Sequence, residues 1–289
     1  MLKNIHNSVI SSILLLICLS FLPACAQDKI EYRSPQGYDL TQPETFYLAD
    51  ALHEISGITF PFQDSDVLAA IEDETGTLYQ LTLGKKGMQE SKFAKKGDYE
   101  GIAATQQYIL VLKSNGTLFS MPLVNQDADT QNVIKTEDLI PSDEYEGLAV
   151  DPSTDLIYVL CKECKIDKKA DFVTGYIFEI QNKQPVLKGN FQIDSKKINS
   201  IQDLKGKDFR PSALAKNTRT NEWYVLSSIN DMLVITDHNW NVKAVYSLNP
   251  NQFNQPEGIA FDRHHNLYIS NEGGDKTKKG NIHKFKINP

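Results

Sequence analysis

The chain has 289 residues, with 30 Lys plus Arg against 37 Asp plus Glu and a formal net charge of −7. That balance, with no long block of Lys or Arg, excludes the usual kind of nucleic-acid-binding surface. A 40% apolar fraction that includes 12 Tyr and 13 Phe is enough for a packed core and excludes wholesale disorder.

The chain opens on an export pattern. Lys3 supplies a positive start, Val9 to Leu22 is an apolar run, and Leu22-Pro23-Ala24-Cys25 follows directly. The run is shorter than the roughly 20 apolar residues that span a bilayer, and it stops at a cleavage pattern. The four residues resemble a bacterial lipobox, although Pro23 stands where a small residue is more usual. The resemblance implies that Cys25 is acylated and that the protein is anchored to a membrane of the cell envelope. Ala26 after that cysteine suits the outer membrane of a host that has one. The expected organisation is a lipoprotein signal peptide over 1–24, a lipidated N-terminus and linker over 25–40, and a folded domain over 41–289.

From residue 55 onward one phrase recurs: Ile55-Ser-Gly-Ile58, Tyr99-Glu-Gly-Ile-Ala103, Tyr145-Glu-Gly-Leu-Ala149, Pro211-Ser-Ala-Leu-Ala215 and Pro256-Glu-Gly-Ile-Ala260. With Gly57, Gly101, Gly147, Ala213 and Gly258 in one column, the spacings are 44, 46, 66 and 45 residues. A period of about 40 to 50 residues is that of a four-stranded propeller blade. Each phrase is followed by a second strand (Val67–Ile71, Tyr108–Leu112, Leu156–Leu160, Trp223–Leu226, Leu267–Ser270). A third follows (Thr77–Leu81, Thr117–Met121, Gly175–Ile180, Met232–Thr236, Ile282–Ile287). Fourth strands are weaker, near Glu90–Phe93, Gln131–Lys135, Val186–Ile193 and Val242–Leu248. The long interval is filled by charged loops at Lys162–Thr174 and Asn199–Asp208, and few helices are expected.

The last repeat ends at Pro289 after three strands, which would leave a raw sheet edge. The segment Glu44–Leu48 has strand character and is expected to close the ring as the outer strand of the last blade. The fold expected is therefore all-β, a five-bladed propeller of four-stranded blades, with a sixth blade in the long interval as the alternative.

Inner strands line a propeller's channel, so one column of the repeat converges on the axis. The residue before the repeated glycine is Ser56, Glu100, Glu146, Ser212 and Glu257. Three crowded carboxylates either raise their pKa values or hold a cation, and calcium suits them because it takes 6 to 8 oxygen ligands in loose geometry. The open alternative is that these glutamates accept backbone hydrogen bonds or pair with Lys113, Lys162 or Arg210. The repeated glycine has its own reading, close approach of inner strands near a crowded axis. Loops after the second strands are expected on the glutamate face. With them, His53, Ser56, Lys113, Arg210, Ser212, Asn271 and Glu272 are the candidate ligand-face residues. His238, His264 and His265 fall in turns and His283 in an outer strand, with no catalytic role assigned. Cys161 and Cys164 enter a Lys/Asp-rich loop, and a local disulfide or two unpaired thiols is expected rather than catalysis.

These phrases, together with Leu52-His-Glu-Ile-Ser-Gly-Ile58 and Leu267-Tyr-Ile-Ser-Asn-Glu272, resemble the SdiA-regulated family of bacterial envelope proteins, which is distantly similar to NHL-repeat propellers. The resemblance covers roughly residues 40 to 289. It implies a five-bladed propeller with a calcium site and no established activity. No nucleophile elbow, phosphate-cradling loop or His-Glu-x-x-His pattern is present. The favoured reading is a non-catalytic, lipid-anchored, monomeric calcium-binding propeller that meets a small molecule, glycan or protein at its channel face. The alternative is a calcium-dependent hydrolase, lactonase- or esterase-like, acting at that same face.

Overall fold

The computed structural model describes residues 31–62, 66–124, 127–168, 170–204, 206–274 and 278–288. The expected signal peptide and the acylated Cys25 lie outside the described residues.

Alternating apolar residues and regularly spaced turns make five antiparallel sheets. Blade 1 contains Ile55–Thr59, Leu68–Glu72, Thr77–Leu81 and Met88–Lys92. Blade 2 contains Tyr99–Ala104, Tyr108–Lys113, Leu118–Val124 and Ile134–Thr136, with a two-residue strand, Asp127–Ala128, also on its third strand. Blade 3 contains Glu144–Asp151, Leu156–Glu163, Phe172–Gln181 and Gln184–Asp194. Blade 4 contains Ala213–Asn217, Glu222–Ser227, Met232–Thr236 and Val242–Ser247. Blade 5 contains Pro256–Phe261, Leu267–Asn271, Asn281–Phe285 and, from the other end of the chain, Glu44–Tyr47.

Each inner strand packs on the inner strand of the next blade, and the fifth packs on the first. The protein is a five-bladed β-propeller, so the six-blade alternative falls. The long interval goes instead into blade 3, whose strands of 8, 8, 10 and 11 residues exceed the others, and into the helix Ser195–Ile201. Asp194 caps that helix by accepting from the Lys197 amide at 2.7 Å. The expected Lys162–Thr174 loop is accordingly shorter, because strands run to Glu163 and resume at Phe172. No helix among the described residues is long and apolar enough to cross a membrane.

The closing strand pairs as expected, Glu44 opposite Lys284 through Tyr47 opposite Asn281. His283 therefore sits in the third strand with a strand on either side, not in an outer one. It is buried, with Nε2 2.9 Å from the Gln252 carbonyl oxygen. The segment before the closing strand is also packed: Tyr38 and Leu40 are buried against blades 4 and 5, and the Tyr38 hydroxyl donates to the His265 carbonyl at 2.7 Å. The folded unit thus begins earlier than residue 41.

Second-strand side chains alternate between two interblade cores. In blade 2, Leu110 and Leu112 pack toward blade 3 while Ile109 and Val111 pack toward blade 1. The glycine column is required where inner strands approach. A Cβ on Gly101 would lie 2.9 Å from the Glu146 carbonyl oxygen and 2.8 Å from the Leu148 Cβ.

Candidate functional site

Pairing is irregular at the start of four inner strands. The register skips between Ile55 and Gly57, Tyr99 and Gly101, Tyr145 and Gly147, and Pro256 and Gly258. Ser56, Glu100, Glu146 and Glu257 are therefore bulged residues, left out of the ladder, and a bulge turns its extra side chain away from the sheet's alternation. In blade 4 the inner strand begins one residue after Ser212, at Ala213, which pairs with Leu226. The Ser212 amide also faces Leu226, donating to its carbonyl at 2.9 Å, while the Ser212 hydroxyl donates to the Pro256 carbonyl at 2.8 Å, tying blade 4 to blade 5, and is not a free ligand.

A second set of side chains joins this column. Gly57, Gly101, Gly147, Ala213 and Gly258 pair with Ile71, Leu112, Leu160, Leu226 and Ser270, and two residues beyond those partners stand Asp73, Ser114, Lys162, Ser228 and Glu272. Asp73 and Ser228 were not singled out from sequence, although the counting rule that finds them needs only the second-strand alignment. Ser228 hydrogen-bonds Glu257, Ser114 hydrogen-bonds Asp98, and Lys162 lies against Glu146 and 3.2 Å from Glu144.

Among the described residues, the mouth thus gathers Glu100, Glu146, Glu257 and Glu272 around the Lys162 ammonium, with Asp73 beside Glu272. Burial is the main cause of every shift among the acids, followed by their mutual repulsion. Glu100 is pushed up to about 9, with Glu146 as its next cause. Glu272 is raised to about 7 and Asp73 to about 6, each by burial and then by neighbouring carboxylates. Glu146 and Glu257 are raised as well, by burial first and then by Glu257 and Glu272 respectively. Burial pulls Lys162 down, but Glu146 and Glu144 more than offset it and hold the ammonium above its ordinary value. Among the described residues, Glu146 Oε2, Asp73 Oδ1 and His53 Nε2 are buried without a hydrogen-bond partner.

The remaining candidates divide. His53 lies close enough to Glu272 to influence its ionisation. Asn271 is fully buried and donates to Asn281 at 3.0 Å, while its own Oδ1 has no partner among the described residues. Arg210 pairs with Glu163 at 3.0 Å, and Ser56 donates to the Glu54 carbonyl at 3.3 Å. Lys113 lines a separate cleft between blades 1 and 2 with Phe93, Lys95 and Lys96, away from the mouth.

Cys161 and Cys164 are joined in a disulfide that brackets Lys162 and Glu163. Among the described residues the three-donor group with ligand atoms all within 4.8 Å is Cys161, Cys164 and Asp167, whose two sulfurs are bonded to each other. The column glutamates stand farther apart than that, with Lys162 between them and full convergence. Their chemistry still fits a hard cation, since every donor is oxygen and one Glu146 oxygen is orphaned.

The sequence profile of the SdiA-regulated family matches residues 34–274. The chain belongs to the SdiA-regulated family. No curated protein matches it by sequence. Among solved structures, the glutaminyl cyclase of Myxococcus xanthus is similar, with a TM-score of 0.56 at 14% identity over 85% of this chain and 96% of the other. So is a PQQ-bound aldose sugar dehydrogenase from Streptomyces coelicolor, at 0.51 and 10% identity over 88% and 100%. At such identities the likeness is one of fold, and the chemistry has to be argued from this family member's own residues.

Proposed function

We propose that this SdiA-regulated protein is a calcium-binding, non-catalytic propeller of the bacterial envelope, held to a membrane through lipid on Cys25, with its glutamate-bearing mouth as the binding face. The observation that carries the reading is the cluster of buried carboxylates Glu100, Glu146, Glu257, Glu272 and Asp73, which among the described residues meets the Lys162 ammonium and in which Glu146 and Asp73 each keep an orphaned oxygen. Buried like charges stay protonated or hold a cation, and near neutral pH a divalent ion relieves more repulsion than protons do. Glu100, Glu146 and Glu257 would hold it, with Glu272 and Asp73 as further oxygen donors. Bound there, the ion supplies the positive charge that lets these acids ionise together. Lys162 competes with it for Glu146.

A second reading, a calcium-dependent hydrolase, has one supporting observation. The His53 imidazole keeps a buried Nε2 without a hydrogen-bond partner, close to Glu272. Among the described residues no acid or base is hydrogen-bonded to His53, and the binding role is therefore preferred.

Calorimetric titration with calcium, run on the protein and on the Glu100→Gln/Glu146→Gln/Glu257→Gln variant, tests the site. Binding by the parent that the variant lacks is expected, and equal binding by both would move the ion elsewhere. Mass spectrometry of the N-terminal peptide tests the anchor, an unmodified Cys25 in the mature protein being the adverse result.

A further inference from the structure

Inward of the glutamates and glycines, the inner strands present Ile58, Ile102, Leu148, Leu214 and Ile259, which narrow the channel to a cavity of about 110 Å³. Two residues further along the same strands the column reads Phe60, Ala104, Val150, Lys216 and Phe261. There the channel opens into a chamber of about 900 Å³ on the face opposite the carboxylates. Its walls include Phe60, Phe62, Phe261, Lys216, Arg263 and His265. The size is that of small-molecule sites, and so is the mix of flat apolar walls with a few polar groups.

The charges of the chamber are unequally satisfied. Among the described residues two acids line it, Asp155 and Asp262. The Asp262 carboxylate accepts from the amides of His264 and Asn266, from Asn266 Nδ2 and from the Tyr268 hydroxyl. Asp155 accepts from the Gln106 amide at 3.0 Å. Both are engaged by groups of the protein itself.

The cations are held less completely. The Lys216 side chain is 3% exposed, its Nζ donates to the Asn221 carbonyl at 3.3 Å and lies over the Trp223 ring at 4.8 Å. The nearest carboxylate oxygen that pairs with it, Asp151 Oδ2, is 4.0 Å away, and the other Asp151 oxygen accepts from the Ser153 hydroxyl. Arg263 reaches Asp66 at 3.5 Å in an exposed pair, which contributes little. Burial lowers the pKa of Lys216, as expected of an ammonium with incomplete compensation.

We propose that this chamber is a second ligand site, for a small organic anion with a flat apolar body, of the aromatic carboxylate class. The ring system would lie against Phe60, Phe62 and Phe261, and the carboxylate would face Lys216 and Arg263. The waist of Ile and Leu side chains separates the site from the carboxylate mouth, so the two would be occupied independently. A neutral ligand of the same shape would leave the buried ammonium as it is and gain less.

The probe is 1-naphthoate, compared with the neutral 1-naphthamide, titrated calorimetrically against the purified protein in detergent-free buffer. Saturable one-to-one binding of the naphthoate is expected, at least about tenfold tighter than that of the amide. Lys216→Met is expected to remove most of that preference, and Phe62→Ala to weaken both probes, while Glu100→Gln/Glu146→Gln/Glu257→Gln leaves them unchanged. If Lys216→Met does not fold, Arg263→Gln replaces it as the charge test and must reduce the preference. No saturable binding, equal affinity for the two probes, or a preference that survives the charge variants would overturn the proposal. Because these readouts do not involve calcium, they stand or fall apart from the mouth.

Discussion

The two ends of the channel are built from the same five strands and are chemically opposite. One end holds five carboxylates together with Lys162; the other holds three phenylalanines with Lys216 and Arg263. Only three residues of each inner strand separate them, and apart from Thr59 the residues between are glycine, alanine and branched aliphatics. A propeller axis is thus a series of layers, each free to carry its own chemistry because a dry layer insulates it from the next. The difference also shows how each end handles charge. At the acid end burial is offset by protons, by one lysine or, as proposed, by an ion, whereas at the aromatic end the Lys216 ammonium rests on a Trp face with a carboxylate 4.0 Å away.

The largest expected effect comes from breaking the layer that separates the ends. Leu214 is almost fully buried and packs in the core between blades 3 and 4. Leu214→Ala is expected to cost about 3 kcal/mol in chemical denaturation, through lost burial plus the cavity left behind. A loss under about 1 kcal/mol would mean that the waist is loosely packed and the ends are not insulated.

The next effect concerns the acid end alone. At a calcium concentration of about 100 times its dissociation constant, the parent should gain about 2.7 kcal/mol. For a domain of this size that is a rise of about 5 to 10 °C in unfolding temperature. The triple glutamine variant should show no such rise, and without calcium it should unfold above the parent, because neutral amides do not repel. A variant that unfolds below the parent in chelator would show that these glutamates stabilise the ring as carboxylates.

Opening the disulfide is a smaller change at the same end. It closes a loop with a sequence separation of 3, and chain entropy for so short a loop is worth about 2 kcal/mol. Cys161→Ser/Cys164→Ser is expected to lose about that much in denaturant titration and to free Lys162 from its fixed place. Unchanged stability would make the bridge incidental to the mouth.

A further effect is a drift with pH. Glu100 near 9, Glu272 near 7 and Asp73 near 6 all lie above their ordinary values, so the folded protein holds protons that the unfolded chain has released. Stability in chelator should therefore be greatest near pH 5 and fall as the pH rises toward 9. Saturating calcium should flatten that fall, since metal binding replaces the protons. Unfolding temperatures measured with and without chelator across this range check it, and a flat chelator curve would remove the acid end's special character.

Much of this was legible in the residues. The repeated phrase fixed the number of blades because each copy must supply an innermost strand, and the missing outer strand of blade 5 was identifiable within Glu44–Leu48, of which Glu44–Tyr47 pairs, because a bare edge needs a partner. Lys113 was misplaced at the mouth because alternation along its strand, not its distance from the repeat, decides which interblade space it enters. Ser212 looked equivalent to the glutamates, but its hydroxyl is spent on the Pro256 carbonyl of the next blade.

The sequence by itself therefore determined the layers: a glutamate and serine layer, a glycine layer, an aliphatic waist, all set by position within a repeat. Only the tertiary structure decided who meets whom across repeats. That Lys162 answers Glu146, that Asp73 and Glu272 join the acids, and that Phe191, Trp240 and Trp223 stack with ring centroids 3.7 and 4.7 Å apart, all depend on neighbouring blades. The reason is physical. Periodicity along a strand fixes which way a side chain points, whereas twist, bulges and the packing of one blade on the next fix what it finds there.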